Sequence, residues 1–223
     1  MPGTITALVV QQKNKDRVNV YLDGKFAFGL AAIEAARLKR GQVLSDADID
    51  RLRNADDVEK AREKALRYLA SRPRSEWEVR QNLKKAGFEA ESVDRAVERL
   101  KDVALIDDAA FARYWVDNRT QFNPRSAAAL RLELRRKGVD RTVIEAVLKA
   151  IDLPDESAAL RAALARADRY RQAPRPEFTQ KLGAYLVRRG FDYATAREAV
   201  DEAWRRIHPA AEAGNYPVDD IEE

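Results

Sequence analysis

Apolar residues near the start of the chain fall in short runs with a period of two. Residues 4–11 hold Leu8-Val9-Val10, residues 17–22 alternate with Val18, Val20 and Leu22 on one face, and Lys25-Phe26-Ala27-Phe28 follows. Asp23-Gly24, between the last two runs, is a two-residue hairpin signal, because a type I′ turn needs positive φ at both central positions. Asn14-Lys15-Asp16 marks an earlier turn. The pattern predicts a three-stranded antiparallel meander. Such a sheet is too small to be stable alone, so it should pack on a helix over residues 31–39 that Gly41 closes. Asp46 is placed to cap the next helix, which carries Ile49, Leu52 and Val58 on one stripe. The charged residues 53–64 continue it as a long exposed helix.

Beyond residue 57 the period changes to that of amphipathic helices, and a longer repeat is superimposed on it. Pro73 lies fourteen residues before Gly87, Pro124 fourteen before Gly138 and Pro176 fourteen before Gly190. Leu83, Leu134 and Leu186 each stand four residues before the glycine, and Phe88, Val139 and Phe191 directly follow it. Ala-Val comes eight to ten residues later in each copy. A period of about 50 residues seen three times implies stacked copies of one supersecondary unit, here three helices. In the first unit Ser75 and Glu78 form a capping box, Trp77, Val79 and Leu83 face inward, Gly87 takes the left-handed position, and the third helix presents Val93, Ala96, Val97 and Leu100. Asp140 and Asp192 cap the third helices of the later units. Trp77, Phe111, Trp115 and Trp204 fall at core spacing. The expected organisation is a β-meander leader over 1–57, three-helix units over 58–107, 108–154 and 155–208, and a disordered acidic tail over 209–223.

Composition narrows the chemistry. The 223 residues include no cysteine, which removes disulfides, zinc–thiolate sites and thiol nucleophiles and suits a reducing compartment. No stretch approaches 18 apolar residues, and Met1-Pro2-Gly3-Thr4 does not open a secretory signal, so a cytoplasmic protein with no membrane partner is expected. The single histidine, His208, reads as an exposed terminal residue and cannot build a metal site or triad. Neither a P-loop nor a dinucleotide-binding glycine motif occurs. Asp56-Asp57 and Asp107-Asp108 read as helix N-terminal acids rather than catalytic pairs. The expectation is therefore no enzyme, no catalytic residue, no metal and no cofactor.

Charge is what remains. Net charge is +4, but residues 209–223 hold five acids and no Lys or Arg, so without them the body carries +9 and attracts polyanions. Basic clusters recur before each glycine: Lys84-Lys85, Arg135-Arg136 with Lys137, and Arg188-Arg189. In the last turn of a helix they complement its dipole, and in a stack they would form a row that could track an extended polyanion. A second set flanks the prolines: Arg72 and Arg74, Arg125, then Arg175. These sit in the loop before the second helix, where they are expected to be free to reach a partner. Glu177 stands where the first two units have Arg74 and Arg125, so the third unit departs from the others.

The run Arg72-Pro73-Arg74-Ser75-Glu76-Trp77-Glu78-Val79-Arg80, with Leu83-Lys84-Lys85-Ala86-Gly87-Phe88, Leu105-Ile106-Asp107-Asp108, Phe111-Ala112, Trp115-Val116 and Leu134-Arg135-Arg136-Lys137-Gly138-Val139, resembles the bacterial RecX proteins, regulators of the RecA recombinase. Residues 13–24 resemble the leader of the longer members. The resemblance covers roughly residues 4–207, closely through the first two units and loosely in the third. It implies a mainly α fold, with tandem three-helix repeats in an elongated, curved module. It also implies binding in the groove of the RecA–single-stranded DNA filament, inhibition of ATP hydrolysis and strand exchange, and so modulation of DNA repair and recombination; a monomer is expected. Direct contact with DNA, with or without a recombinase, stays open at this point. The ten basic residues from Arg72 to Arg189 named above as clusters and proline neighbours, Arg175 apart, are the candidate contacts.

Overall fold

The computed structural model describes residues 2–152 and 154–209. The expected acidic tail therefore lies, but for Pro209, outside the described residues. The chain divides into two compact units, residues 1–107 and 108–223.

The first unit begins with strands β1 (Gly3–Val10), β2 (Arg17–Leu22) and β3 (Lys25–Ala31). Asp23 and Gly24 have φ of 48° and 79°, both positive as the hairpin signal requires. A fourth strand, β4 (Val43–Leu44), adds to the free edge of β1, so the sheet order is β3-β2-β1-β4. The pattern predicted three strands. Two residues paired through Gly3↔Leu44 and Thr4↔Val43 are too short to show an alternation. The helix expected over residues 31–39 is only a turn, α1 (Ala32–Ala35), and Gly41, at φ +86°, serves the turn into β4 instead.

Helix α2 (Asp46–Leu69) runs 24 residues without a break. Its cap is Ser45, which exchanges hydrogen bonds with Asp48 in a capping box, not Asp46, which is the first helical residue. The N-terminal half of α2 buries Ile49 and Leu52 against Ile5, Val20, Phe28, Leu30 and Leu44 of the sheet. Its C-terminal half buries Val58, Ala61 and Ala65 against α3 (Glu76–Lys85) and α4 (Ala90–Asp102), through Val79, Leu83, Val93, Ala96, Val97 and Leu100. One helix thus serves two cores, and its charged middle is not simply exposed. Asp56 and Asp57 lie in that middle rather than at a helix start, and Asp56 is buried. Trp77 is not core; it is 46% exposed on the outer face of α3.

The second unit holds two three-helix groups. Helices α5 (Asp108–Phe122), α6 (Ala127–Arg136) and α7 (Arg141–Ile151) enclose Phe111, Val116, Leu130, Leu134, Ile144 and Val147. Helices α8 (Asp155–Ala167), α9 (Arg175–Arg188) and α10 (Tyr193–Ile207) enclose Phe178, Leu182, Leu186 and Val200. The α8 contribution is almost all alanine (Ala158, Ala159, Ala162, Ala163), small enough for close packing of the neighbouring helices.

The repeated string of Leu, basic pair, Gly and apolar residue has a backbone explanation. Gly87, Gly138 and Gly190 have φ of +87°, +77° and +92°. Phe88, Val139 and Phe191 each donate their N–H back to the leucine carbonyl five residues earlier, at 3.3, 3.1 and 3.3 Å, while each glycine N–H reaches the next carbonyl along. This is the Schellman motif, which needs a residue without Cβ at its left-handed position and an apolar residue after it. The starts of the middle helices are less uniform. Ser75 and Ser126 cap α3 and α6, whereas Pro176 lies inside the first turn of α9, whose N-cap Pro174 offers no side-chain acceptor.

Candidate functional site

The basic pairs sit where the Schellman motif puts them, at the negative end of each middle helix. Lys84, Lys85, Arg135, Arg136 and Arg188 are exposed there. Lys137 and Arg189 are the C-cap residues of α6 and α9 and are half-buried instead. The Lys137 ammonium lies 4.9 Å from the centre of the Trp115 ring. Arg189 turns inward, donating from Nη1 to the Pro124 carbonyl at 2.9 Å and to Asn123 Oδ1. The Arg189 carbonyl in turn accepts from the Ser126 N–H at 3.3 Å, which fixes the end of α9 against the start of α6.

The arginines beside the prolines were expected to be free, and the structure corrects this. Arg72 forks onto Glu78 at 2.9 Å and donates to the Pro73 carbonyl at 2.8 Å. Arg74 lies 4.1 Å over the Tyr68 ring and donates to Ser71 Oγ at 3.0 Å. Arg125 pairs with Glu133 at 2.8 Å. The reason is local. Glu78 is the buried acid of the α3 capping box and needs a cation, while Glu133, half-buried in the second half of α6, draws in Arg125 from the loop before that helix.

These contacts converge in the second unit. Glu133 accepts from Trp115 Nε1 and Arg119 Nε, each at 2.8 Å, and pairs electrostatically with Arg125, whose Nε lies 2.8 Å from its other oxygen. The Arg119 guanidinium lies 4.4 Å over Trp115. Close by, Tyr185 of α9 is flanked by Arg189 at 4.4 Å and by Arg166 of α8 at 4.7 Å. Burial pushes the Arg189 guanidinium below its ordinary value. Tyr185 works the other way, and the like charges of Arg125, Arg166 and Arg119 add to the lowering. Arg119, Arg125 and Arg166 are thus close enough to Arg189 to act on its charge, and Glu133 pairs with two of the four, Arg119 and Arg125. Arg166 and Arg189 form no ion pair among the described residues.

Sequence reasoning missed Arg119, Arg166, Trp115, Tyr185 and Glu133 as members of one cluster. A signal was present: Trp115–Arg119 and Tyr185–Arg189 are both aromatic–arginine pairs at i,i+4, which face each other on a helix. His208 also differs from its expected exposed state. It stacks on Trp204 with 3.8 Å between ring centres, and its Nε2 lies 2.8 Å from the Arg171 carbonyl. Among the described residues no group of three or more His, Cys, Asp or Glu is arranged to hold a metal, and no helix is long and apolar enough to cross a membrane.

Fold and site together define a tandem three-helix-repeat protein with a small N-terminal sheet and an arginine-rich junction between its last two repeats. Four family models match it in order: the Regulatory protein RecX N-terminal domain over residues 3–45, and the first, second and third three-helix domains of RecX over 61–100, 107–148 and 155–200. The chain belongs to the RecX family of regulatory proteins. A Regulatory protein RecX of Listeria monocytogenes is 32% identical over 214 residues, covering 94% of this chain and 79% of the relative. A crystal structure of regulatory protein RecX superposes with a TM-score of 0.71 at 30% identity, over 89% of this chain and 99% of the other. The crystal structure of RecX from Lactobacillus salivarius gives 0.56 at 25% identity, over 67% and 97%.

Proposed function

We propose that the chain regulates the RecA recombinase by binding the groove of its filament on single-stranded DNA, where it inhibits ATP hydrolysis and strand exchange. The observation that carries this reading is family membership along nearly the whole chain, from the N-terminal domain to the third three-helix domain. The physical arrangement agrees with such a target. A filament is a long lattice that repeats protein and phosphate charge. A chain of repeated units meets it at several places, each raising the effective concentration of the next. Exposed lysines and arginines at the helix ends would steer that encounter and make it sensitive to salt.

The test is a titration of the full chain into a RecA ATPase assay on single-stranded DNA. Inhibition at amounts below one chain per recombinase supports filament binding. No inhibition at several-fold excess discards it. Equal inhibition by competing naked DNA capture, with tight binding to DNA and none to the filament, would favour a DNA-binding module that works without a recombinase.

A further inference from the structure

Between α9 and α10 lies a groove that nothing among the described residues fills. It holds about 340 Å³ and is lined by Gly183, Ala184 and Val187 on one wall and by Tyr193, Ala196 and Val200 on the other. Val187 and Tyr193 stand 50% and 77% exposed along it. Gly183 lies inside α9, where glycine is unfavourable relative to alanine because it orders a freer backbone and packs no side chain. A Cβ there would meet nothing within 4 Å, so no neighbour in the fold demands its absence. The space that a side chain at 183 would take is the groove itself. The charge beside it is positive. Arg197 lines the groove, its side chain 70% exposed and no nearer than 4.0 Å to Asp201. Arg188, next to Val187, is exposed and forms no ion pair among the described residues. An apolar slot with cations at its edge suits an apolar segment followed by acids.

The chain carries such a segment shortly after α10. Residues 216–223 run Tyr216-Pro217-Val218-Asp219-Asp220-Ile221-Glu222-Glu223, three apolar residues and then four acids around Ile221, with no Lys or Arg among residues 209–223. The distances allow it to return. Val200 and Tyr193 come eight and fifteen residues before His208, roughly 12 and 22 Å back along α10 at about 1.5 Å per residue. Tyr216 comes eight residues after His208, and an extended chain of that length spans up to roughly 26–29 Å. A segment joined through so short a linker meets its groove at an effective concentration on the order of millimolar, so the chain's own residues outcompete those of a second copy at micromolar protein. We propose that Tyr216, Pro217 and Val218 dock in the groove between α9 and α10, with the acids that follow them paired to Arg197 and Arg188. So seated, the segment closes the apolar face of the third three-helix group and withholds two arginines from outside partners. The contact is intramolecular and stands apart from the regulatory reading above.

The lack of native cysteine makes the test direct. Full chains carrying Val218→Cys together with either Ala184→Cys, in the groove, or Glu198→Cys are oxidised at micromolar concentration, and intrachain disulfide formation is timed on non-reducing gels. Glu198 is exposed on α10 between Ala196 and Val200 in sequence but does not line the groove, so it reports the tether alone. Rates are normalised to the reaction of each thiol with a small neutral disulfide. The Ala184 pair should close about tenfold faster than the Glu198 pair, since a docked segment is held where a tethered one only visits. Gly183→Leu, which fills the groove and suits a helix, should bring the two rates within about twofold. Tyr216→Ser, which alters no residue of the groove, should do the same. Raising salt to about 1 M should narrow the gap by screening the acids from the arginines. Equal rates in the two parent pairs, no slowing by Gly183→Leu or Tyr216→Ser, or a gap indifferent to salt would each overturn the proposal. So would covalent dimers in place of intrachain bonds, which would give the groove to a second copy. Far-UV circular dichroism checks that each variant is folded.

Discussion

Arg17 of β2 and Asp56 of α2 meet at 2.9 Å, with the carboxylate almost wholly buried. The second oxygen of Asp56 accepts the Ala31 N–H at 2.8 Å, where β3 ends, and Lys60 joins from the next turn of α2. One carboxylate therefore ties two strands to the helix that carries on into the first three-helix group. Removing it would leave a partly buried guanidinium and a buried backbone N–H without an acceptor. Asp56→Ala should destabilise the first unit by about 3 kcal/mol. Asp57→Ala, at the exposed neighbour, should stay within about 0.5 kcal/mol. Urea unfolding followed by circular dichroism separates the two, and equal effects would mean that the link is ornamental.

Gly87 and Gly190 share a positive φ but not their surroundings. A Cβ on Gly87 would meet nothing within 4 Å. One on Gly190 would come within 2.7 Å of both Ala129 Cβ and Ser126 Oγ. Gly87→Ala should therefore cost only the left-handed backbone, about 1 kcal/mol. Gly190→Ala should cost that plus about 1–3 kcal/mol of overpacking, because α6 must retreat. Thermal unfolding of the two variants ranks them. The reverse order would show that the contact between the end of α9 and the start of α6 is not tight.

Glu133 is expected to be the most sensitive acid of the second unit. Glu133→Ala strands Trp115 Nε1 and leaves Arg119 and Arg125 with no carboxylate beside two further arginines. A loss of about 2–3 kcal/mol follows from the orphaned donors and the added repulsion. Chloride or phosphate should recover part of it by supplying an anion, so the deficit should shrink as salt rises. A deficit that grows with salt would contradict this account of the cluster.

What the chain reveals before folding depends on how far apart the partners are. The glycine caps were legible because the Schellman motif is written in a handful of neighbouring residues, and so were Ser75 with Glu78, Asp140 and Asp192. The same locality misled the reading of the arginines. A basic residue in a proline-flanked loop reads as free until its acid is placed, and for Arg72 the acid is Glu78, six residues on and inside the helix. Arg189 finds Asn123 at a separation of 66 residues, and Asp56 finds Ala31 and Arg17 at 25 and 39. Such pairings leave no periodicity. The two-residue β4 was invisible for the opposite reason, since two residues hold no alternation at all.

Acid should weaken the fold through the helix caps and surface pairs. Asp140 and Asp192 accept from Thr142 and Thr195, and those hydrogen bonds hold both carboxyls below their ordinary 3.8. For Glu76, burial pushes upward, but hydrogen bonds from Arg80 and Lys101 with their charge outweigh it and hold the group below 4.5. Each is a carboxylate with a folded value below its unfolded one, so the unfolded chain binds protons first as pH falls. Their stabilisation is complete above about 4.5–5 and is lost progressively as pH drops through the folded values. Urea midpoints should be flat near neutrality and fall below pH 4.5, with Asp140→Asn and Asp192→Asn each making that fall shallower. A decline that sets in between pH 6 and 8 would point to a different group.

The tryptophans offer a further comparison, because sequence spacing assigns them one role and the fold assigns two. Trp204 packs edge-on against Phe178 at 5.0 Å and stacks with His208, closing the core of the last three helices. Trp77 stands 46% exposed on α3, beside no core cluster. Trp204→Ala should cost about 3 kcal/mol, since a large ring is removed from packed neighbours that cannot collapse into the space. Trp77→Ala should change stability by less than about 1 kcal/mol. A half-exposed ring of that size on an otherwise charged helix is the kind of residue that anchors interfaces. The informative readout is therefore recombinase inhibition by the stable Trp77→Ala chain. Weaker inhibition with an unchanged urea midpoint would place the outer face of α3 in the regulatory contact, and unchanged inhibition would remove that face from it.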